Sequence, residues 1–221
     1  MEKIPTVKEL FDTSHTIAAR LIESSYYGHR AIQNLGEFIK NLVANLDSEY
    51  EEISLGIFVA RDAKISEKAT VLAPAVICSG AEIRPGAFIR GKVIVGRGAV
   101  VGNSSEVKNS IIFDEAKLPH YNYLGDSIIG YRAHMGAGVI ASNQRLDKRS
   151  IRLTSEDETI DTGMVKLGAL IGDGAEIGSQ SVLSPGAIIC KGSIIYPLSH
   201  IRGGVGENQI YDGSGKVRYR K

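Results

Sequence analysis

The side chains of this 221-residue protein that are best equipped for chemistry gather in and around one stretch, "PHYNYLGD" at 119–126. His120 carries an imidazole, the side chain most often used to accept a proton in catalysis, and Tyr123 is a hydrogen-bonding phenol. Pro119 restricts the backbone of the residue before it and so helps fix the approach to His120. Arg90 and Lys108 upstream, and Lys148 and Arg149 downstream, are guanidinium and ammonium groups of the kind that hold a phosphate dianion. "Gly136-Ala137-Gly138" has so little bulk that a ligand can lie close to the backbone there, although tight packing explains the same three residues. On residue type alone His120 is equally a surface histidine, and Arg90 and Lys108 are equally exposed side chains.

What must position these groups is legible as a repeat. From Val59 every sixth residue is branched and apolar: Val59, Ile65, Val71, Ile77, Ile83, Ile89, Val95, Val101 and Val107. Four residues after most of these stands a small one: Ala63, Ala69, Ala75, Ala81, Ala87 and Ala99. The ladder resumes at Ile171, Ile177, Leu183, Ile189, Ile195 and Ile201. A short fixed period identifies a solenoid, because one unit cannot bury its apolar side chain alone and stacking supplies the core. Six-residue units close into three-sided coils of about eighteen residues, with strands roughly 4.8 Å apart. The period fails at "DEAKLPHYNYLGDSIIG" (114–130), so loop excursions are expected near 114–127 and 143–165.

The ends follow other rules. "TVKE" from Thr6 has the capping-box spacing, and Leu10, Phe11, Ile17, Leu21 and Ile22 recur at helical intervals, as do the apolar residues of "NLGEFIKNLVANL" from Asn34. Residues 1–54 are therefore expected to be a small helical region that caps an exposed sheet edge, 55–205 the solenoid, and 206–221 a hairpin turning at Asp212 to Gly215 with a basic tail. A formal net charge of +1 gives no field that would draw nucleic acid or a membrane surface. No apolar run approaches the length of a membrane span, and "MEKIPTVKEL" shows no apolar stretch behind a basic one, so a cytoplasmic protein is expected. Cys78 and Cys190 have no metal-ligand spacing and are expected to be free thiols.

The repeat resembles the hexapeptide-repeat acyltransferases, which implies a mainly β fold, a left-handed parallel β-helix, with the small helical N-terminal region added. Within that superfamily, "EVK" at 106–108, "PHxxYxGD" at 119–126, "GAG" at 136–138 and "NxRxDK" at 143–148 resemble the acetyltransferase domain of bifunctional N-acetylglucosamine-1-phosphate uridyltransferases. "KLGAxIGD" at 166–173 is similar to their archaeal counterparts, the sugar-1-phosphate nucleotidyltransferases with an acetyltransferase domain. The resemblance implies acetyl-CoA as co-substrate, an amino-sugar 1-phosphate as acceptor, and a place in nucleotide-sugar biosynthesis. It implies that His120 is the general base and that Glu106 orients its ring or stabilises its charge. It further implies that Arg90 and Lys108 hold phosphate and sugar, that Tyr123 and Asn143 contact the sugar, and that Ala137 and Ser179 contact acetyl-CoA. A homotrimer follows, since the family builds its sites between subunits, and no metal is implied.

Departures matter too. Strict spacing puts Arg149 where the family has a lysine after Asn143, with Lys148 one residue earlier, and His134 replaces a family asparagine. Residues 1–52 contain no Gly-rich nucleotide loop, so uridylyl transfer is not expected. The alternative is a non-catalytic β-helix that binds a sugar phosphate or assembles with a separate nucleotidyltransferase. A zinc carbonic anhydrase on the same fold needs three close-set histidines, and His15, His29, His120, His134 and His200 lack that spacing.

Overall fold

The computed structural model describes residues 1–219 and is a three-sided parallel β-helix with a helical layer on one side. The first face contains the strands Ala75–Ile77, Val93–Val95, Ser110–Ile112, Ile128–Ile129, Leu170–Ile171 and Ile188–Ile189. The second contains Val100–Asn103, Lys117–His120, His134–Met135 and Glu176–Ile177. The third contains Phe88–Arg90, Glu106–Lys108, Tyr123–Gly125, Ile140–Ala141, Val182–Leu183 and His200–Ile201. Period-two alternation turns alternate residues of each strand inward, and Ile77, Ile83, Ile89, Val95, Val101 and Val107 are all buried in one continuous core. Each such side chain contributes about 1.5–3 kcal/mol on burial. The mainly β solenoid with a small helical N-terminal region is thus the fold found.

Residues 114–127 do not leave the prism. They form the strands Lys117–His120 and Tyr123–Gly125, in parallel register with the coils below and above. The period fails there because the coil shortens: Ile89 aligns with Val107, eighteen residues on, but Val107 aligns with Leu124, seventeen on. The missing residue is lost at the corner after Lys108, where one left-handed residue, Asn109 (φ 45°), does the work of the pair Gly91 and Lys92 (φ 83° and 53°). Ile112, not the next residue in strict period, is therefore the inward one, aligned with Val95.

The chain does leave the prism after Ile140–Ala141 and re-enters at Leu170–Ile171. In between stands the antiparallel hairpin Arg152–Thr154 with Thr159–Asp161. A second hairpin, Gln209–Tyr211 with Val217–Tyr219, follows the last coil, while Arg220 and Lys221 lie outside the described residues.

Helix α1 (Val7–Leu10) begins with the capping box, the Thr6 hydroxyl accepting from the Glu9 N–H while the Glu9 carboxylate accepts from the Thr6 N–H at 2.8 Å. Helices α2 (Ala19–Glu23) and α3 (Gly28–Val43) complete the layer. They cover a face, not an edge as expected. First-face strands carry two adjacent apolar residues: Ile77 points in while Val76 points out, and Ile94, Ile111, Ile128, Leu170 and Ile188 likewise point out. These pack against Leu10, Ile22, Ile32, Leu35 and Ile39 of the helices. Asp173 pins the layer, accepting from the Asp12 N–H at 2.6 Å and the Tyr131 N–H at 2.8 Å. Cys78 and Cys190 are buried free thiols in this interface.

Two residues make the packing testable. His29 of α3 is 2% exposed with neither ring nitrogen hydrogen-bonded, and burial pulls its pKa down to about 4. The unfolded chain, with an ordinary histidine pKa near 6.5, then binds more protons than the folded one between about pH 6.5 and 4. The neutral ring's full stability is therefore present above about 6.5 and is lost as pH falls toward 4. Melting curves of wild type and His29→Leu, compared from pH 7 to 4.5, should diverge in that sense, and parallel curves would refute it. At Gly102, a Cβ would overlap the Pro119 carbonyl of the next coil. Gly102→Ala should therefore lower denaturant stability by about 1–3 kcal/mol through overpacking.

Candidate active site

His120 stands at the corner between the second and third faces, where the chain turns through Tyr121 at φ 52°. A left-handed conformation is rare for a bulky residue, and the surroundings must impose it at a cost of about 1–3 kcal/mol. The imposing group is Asn122, which is 2% exposed. Its side-chain oxygen accepts from the His120 N–H at 3.2 Å, its amide donates to the Gly136 carbonyl at 2.7 Å, and its N–H donates to the Ser105 hydroxyl at 3.1 Å. The His120 carbonyl accepts from the Gly138 N–H at 3.0 Å. The backbone of His120 is thus locked while its side chain remains exposed.

The third face beside this corner carries the expected anion and sugar residues. Phe88, Glu106 and Tyr123 align in successive coils, and so do Lys108 and Gly125. Arg90 donates to Glu106 at 2.6 Å, so the structure pairs that carboxylate with a cation; among the described residues no hydrogen bond joins it to His120. Burial first, and then the charges of Glu106 and Asp126, push the Tyr123 phenol above its usual range, so it is a hydrogen-bond donor at neutral pH. Gly125 leaves room for its neighbours: a Cβ there would stand 2.6 Å from the Tyr123 hydroxyl and 2.7 Å from the Asn143 amide nitrogen.

Sequence reasoning missed the residue that organises this face. Asp126 is 4% exposed and occupies the same shortened corner as Asn109. Its carboxylate accepts from the Asn109 amide at 2.7 Å and from the Asn143 amide at 2.5 Å, and lies 3.5 Å from the Lys108 ammonium. Its main-chain carbonyl accepts from the Gly168 N–H at 2.9 Å, where the excursion returns. The signal was present in the one-residue shift of the repeat, which places Asn109 and Asp126 seventeen residues apart at equivalent corners. Around them a hollow is lined by Pro74, Arg90, Lys92, Lys108, Asn109 and Asp126. Lys92 is a third cation there that the motifs do not name.

Ala137 and Ser179 fall on the His120 corner, one and two coils above it, since the Gly138 N–H donates to the His120 carbonyl and the Gln180 N–H to the Ala137 carbonyl. Packing accounts for the glycines flanking Ala137: a Cβ on Gly136 would lie 2.7 Å from the Ser179 nitrogen, and one on Gly138 would strike the Gln180 side chain. The structure does not bring Lys148 and Arg149 to the hollow's lining; both are exposed on the excursion. His134 lies on the second face, its Nδ1 3.1 Å from a Glu176 carboxylate oxygen. Among the described residues no group of three histidine, cysteine or carboxylate side chains is placed to hold a metal ion, and no helix is long and apolar enough to cross a membrane.

A family model described as the GMPPB C-terminal domain matches residues 71–165. The chain is 33% identical over 105 residues to a bifunctional sugar-1-phosphate nucleotidylyltransferase/acetyltransferase of Sulfurisphaera tokodaii, covering 48% of this chain and 26% of that protein. It is 38% identical over 89 residues to the bifunctional protein GlmU of Methanococcus maripaludis, covering 40% and 21%. The match thus spans about a quarter or less of these curated relatives' lengths. Among solved structures, the acetyltransferase domain of PglB from Neisseria gonorrhoeae, in complex with acetyl coenzyme A, aligns at 15% identity over 79% of this chain and 60% of that one, with a TM-score of 0.36. Over less than half of its length, the chain is similar to the bifunctional sugar-1-phosphate nucleotidylyltransferase/acetyltransferases.

Proposed function

We propose that the protein is an acetyl-CoA-dependent N-acetyltransferase acting on an amino-sugar 1-phosphate of the glucosamine 1-phosphate type. The observation that carries this is the convergence at one corner of three elements: an exposed His120 on a locked backbone, Ala137 and Ser179 along the same edge, and the Arg90, Lys108, Tyr123 and Asn143 face beside it. In this reading Arg90 and Lys108 bind the phosphate, while Tyr123 and Asn143 hold the sugar with its amine toward the corner. The amine nitrogen attacks the thioester carbonyl, His120 takes the proton from the nitrogen, and the C–S bond breaks to release coenzyme A. The contribution of the fold is placement, which is worth much of the barrier when two reactants are held in line. The sites form between subunits of a cytoplasmic homotrimer, and a separate nucleotidyltransferase uses the product.

One observation favours a second reading, a non-catalytic β-helix that binds a sugar phosphate. Glu106 is committed to Arg90, and among the described residues the His120 ring has no hydrogen-bond partner to orient it.

Release of thiol from acetyl-CoA in the presence of glucosamine 1-phosphate or galactosamine 1-phosphate separates the two. His120→Ala should lower turnover by roughly 10²–10⁴-fold, as loss of a general base does. A wild-type protein that binds the sugar phosphate without turnover supports the binding module instead. Gly125→Ala should displace the Tyr123 hydroxyl and the Asn143 amide while keeping the fold. The expected cost is roughly 10- to 100-fold in kcat/KM for the sugar, with the KM for acetyl-CoA unchanged.

A further inference from the structure

We infer that a groove between the excursion hairpin and the last coils is a second anion site, one that takes a phosphate-bearing small molecule. It is separate from the hollow at Arg90 and Lys108 and stands whether or not the protein transfers acetyl groups.

The hairpin's own pattern creates one wall. Leu153 and Ile160, paired across it, turn into the apolar cluster under the helical layer. Alternation then puts Arg152, Thr154 and Thr159 on the other side, and they line a groove rather than open solvent. The opposite wall is the end of the third face, with Ser184, His200 and Arg202, and Arg145 joins from the excursion loop. Cationic side chains from three separate stretches of chain therefore meet around one space.

Their commitments differ. Arg145 is taken up by Asp147, its Nε and Nη2 lying 2.8 and 2.5 Å from the two carboxylate oxygens. Arg152 is 3.8 Å from Asp161, whose carboxylate also accepts from the Ser150 hydroxyl at 2.9 Å and the Gly163 N–H at 3.0 Å. Arg202 has neither an ion-pair nor a hydrogen-bond partner among the described residues. Two guanidinium forks are thus free or loosely held, and the Thr154, Thr159 and Ser184 hydroxyls add neutral donors, the last 2.8 Å from His200 Nε2. Gly186, in the same lining, has φ 80° and packs against the hairpin, where a Cβ would lie 2.8 Å from Ile151. Planar forks gathered on the lining of one groove match the oxygens of a phosphate ester or diphosphate. Both a sugar 1-phosphate and the diphosphate of coenzyme A present that chemistry.

The test is calorimetric titration of the full chain with pyrophosphate, repeated on Arg202→Gln, Arg152→Gln and Arg61→Gln. Arg61 is paired with Glu51 at the far end of the prism and controls for the lost charge alone. Wild type should bind, with affinity falling as salt rises, and Arg202→Gln and Arg152→Gln should each weaken binding roughly tenfold or more. Arg61→Gln should bind as wild type does. The site is refuted if wild type does not bind pyrophosphate, if the Arg202 and Arg152 variants retain full affinity, or if Arg61→Gln loses as much. Thermal melts establish that each variant is folded, and the exposed positions of both arginines favour that. Parallel titrations with glucosamine 1-phosphate and with coenzyme A name the source: the ligand whose affinity drops in Arg202→Gln is the one the groove holds.

Discussion

Everything in this protein rests on one contact repeated along an axis: an inward Val, Ile or Leu lying on its equivalent in the next coil, a strand spacing of roughly 4.8 Å away. Because the contact is apolar and recurs on all three faces, each coil must stay in register with the last. The chain can change only at corners, in outward side chains, or by leaving the prism between coils. The chemically capable residues obey this limit. His120 is at a corner, Arg90, Glu106, Lys108 and Tyr123 are outward on one face, and the hairpin is an insertion between coils.

Removing one residue from a corner has consequences beyond length. It brings Asn109 and Asp126 into left-handed turns stacked one above the other, and Asn143 follows in the next coil. A nearly buried carboxylate needs partners, and here the two amides and Lys108 supply them. The same aspartate holds the return of the excursion through its main-chain carbonyl. The shortened corner therefore positions the amide of Asn143, orders the base of an insertion and keeps an ammonium at the mouth of the hollow.

The helical layer divides labour among the faces. A first-face strand is apolar on both sides, so it stabilises the prism inward and the helices outward, and nothing on that face is left for a ligand. The remaining two faces and the corner between them carry the polar chemistry. In this respect the N-terminal region acts as a second core layer, and its removal would expose a row of Ile, Leu and Val side chains to water.

The sequence by itself determined the solenoid, because a six-residue period of branched side chains has no other way to bury them, and it also determined the helix cap at Thr6 and the special character of "PHYNYLGD". It did not determine that 114–127 stays inside the prism, since a seventeen-residue coil breaks the period on paper while preserving the stack in space. The doubled apolar pairs, such as Val76-Ile77 and Ile128-Ile129, were visible as letters. That their outer members face helices was decided only when strands more than a hundred residues apart formed one surface. The same holds for the pairing of Glu106 with Arg90, for the burial of Asp126 and for the meeting of Arg145, Arg152 and Arg202. Periodicity is a local property of the chain, whereas pairing and burial depend on which coils lie next to each other, and only the folded prism decides that.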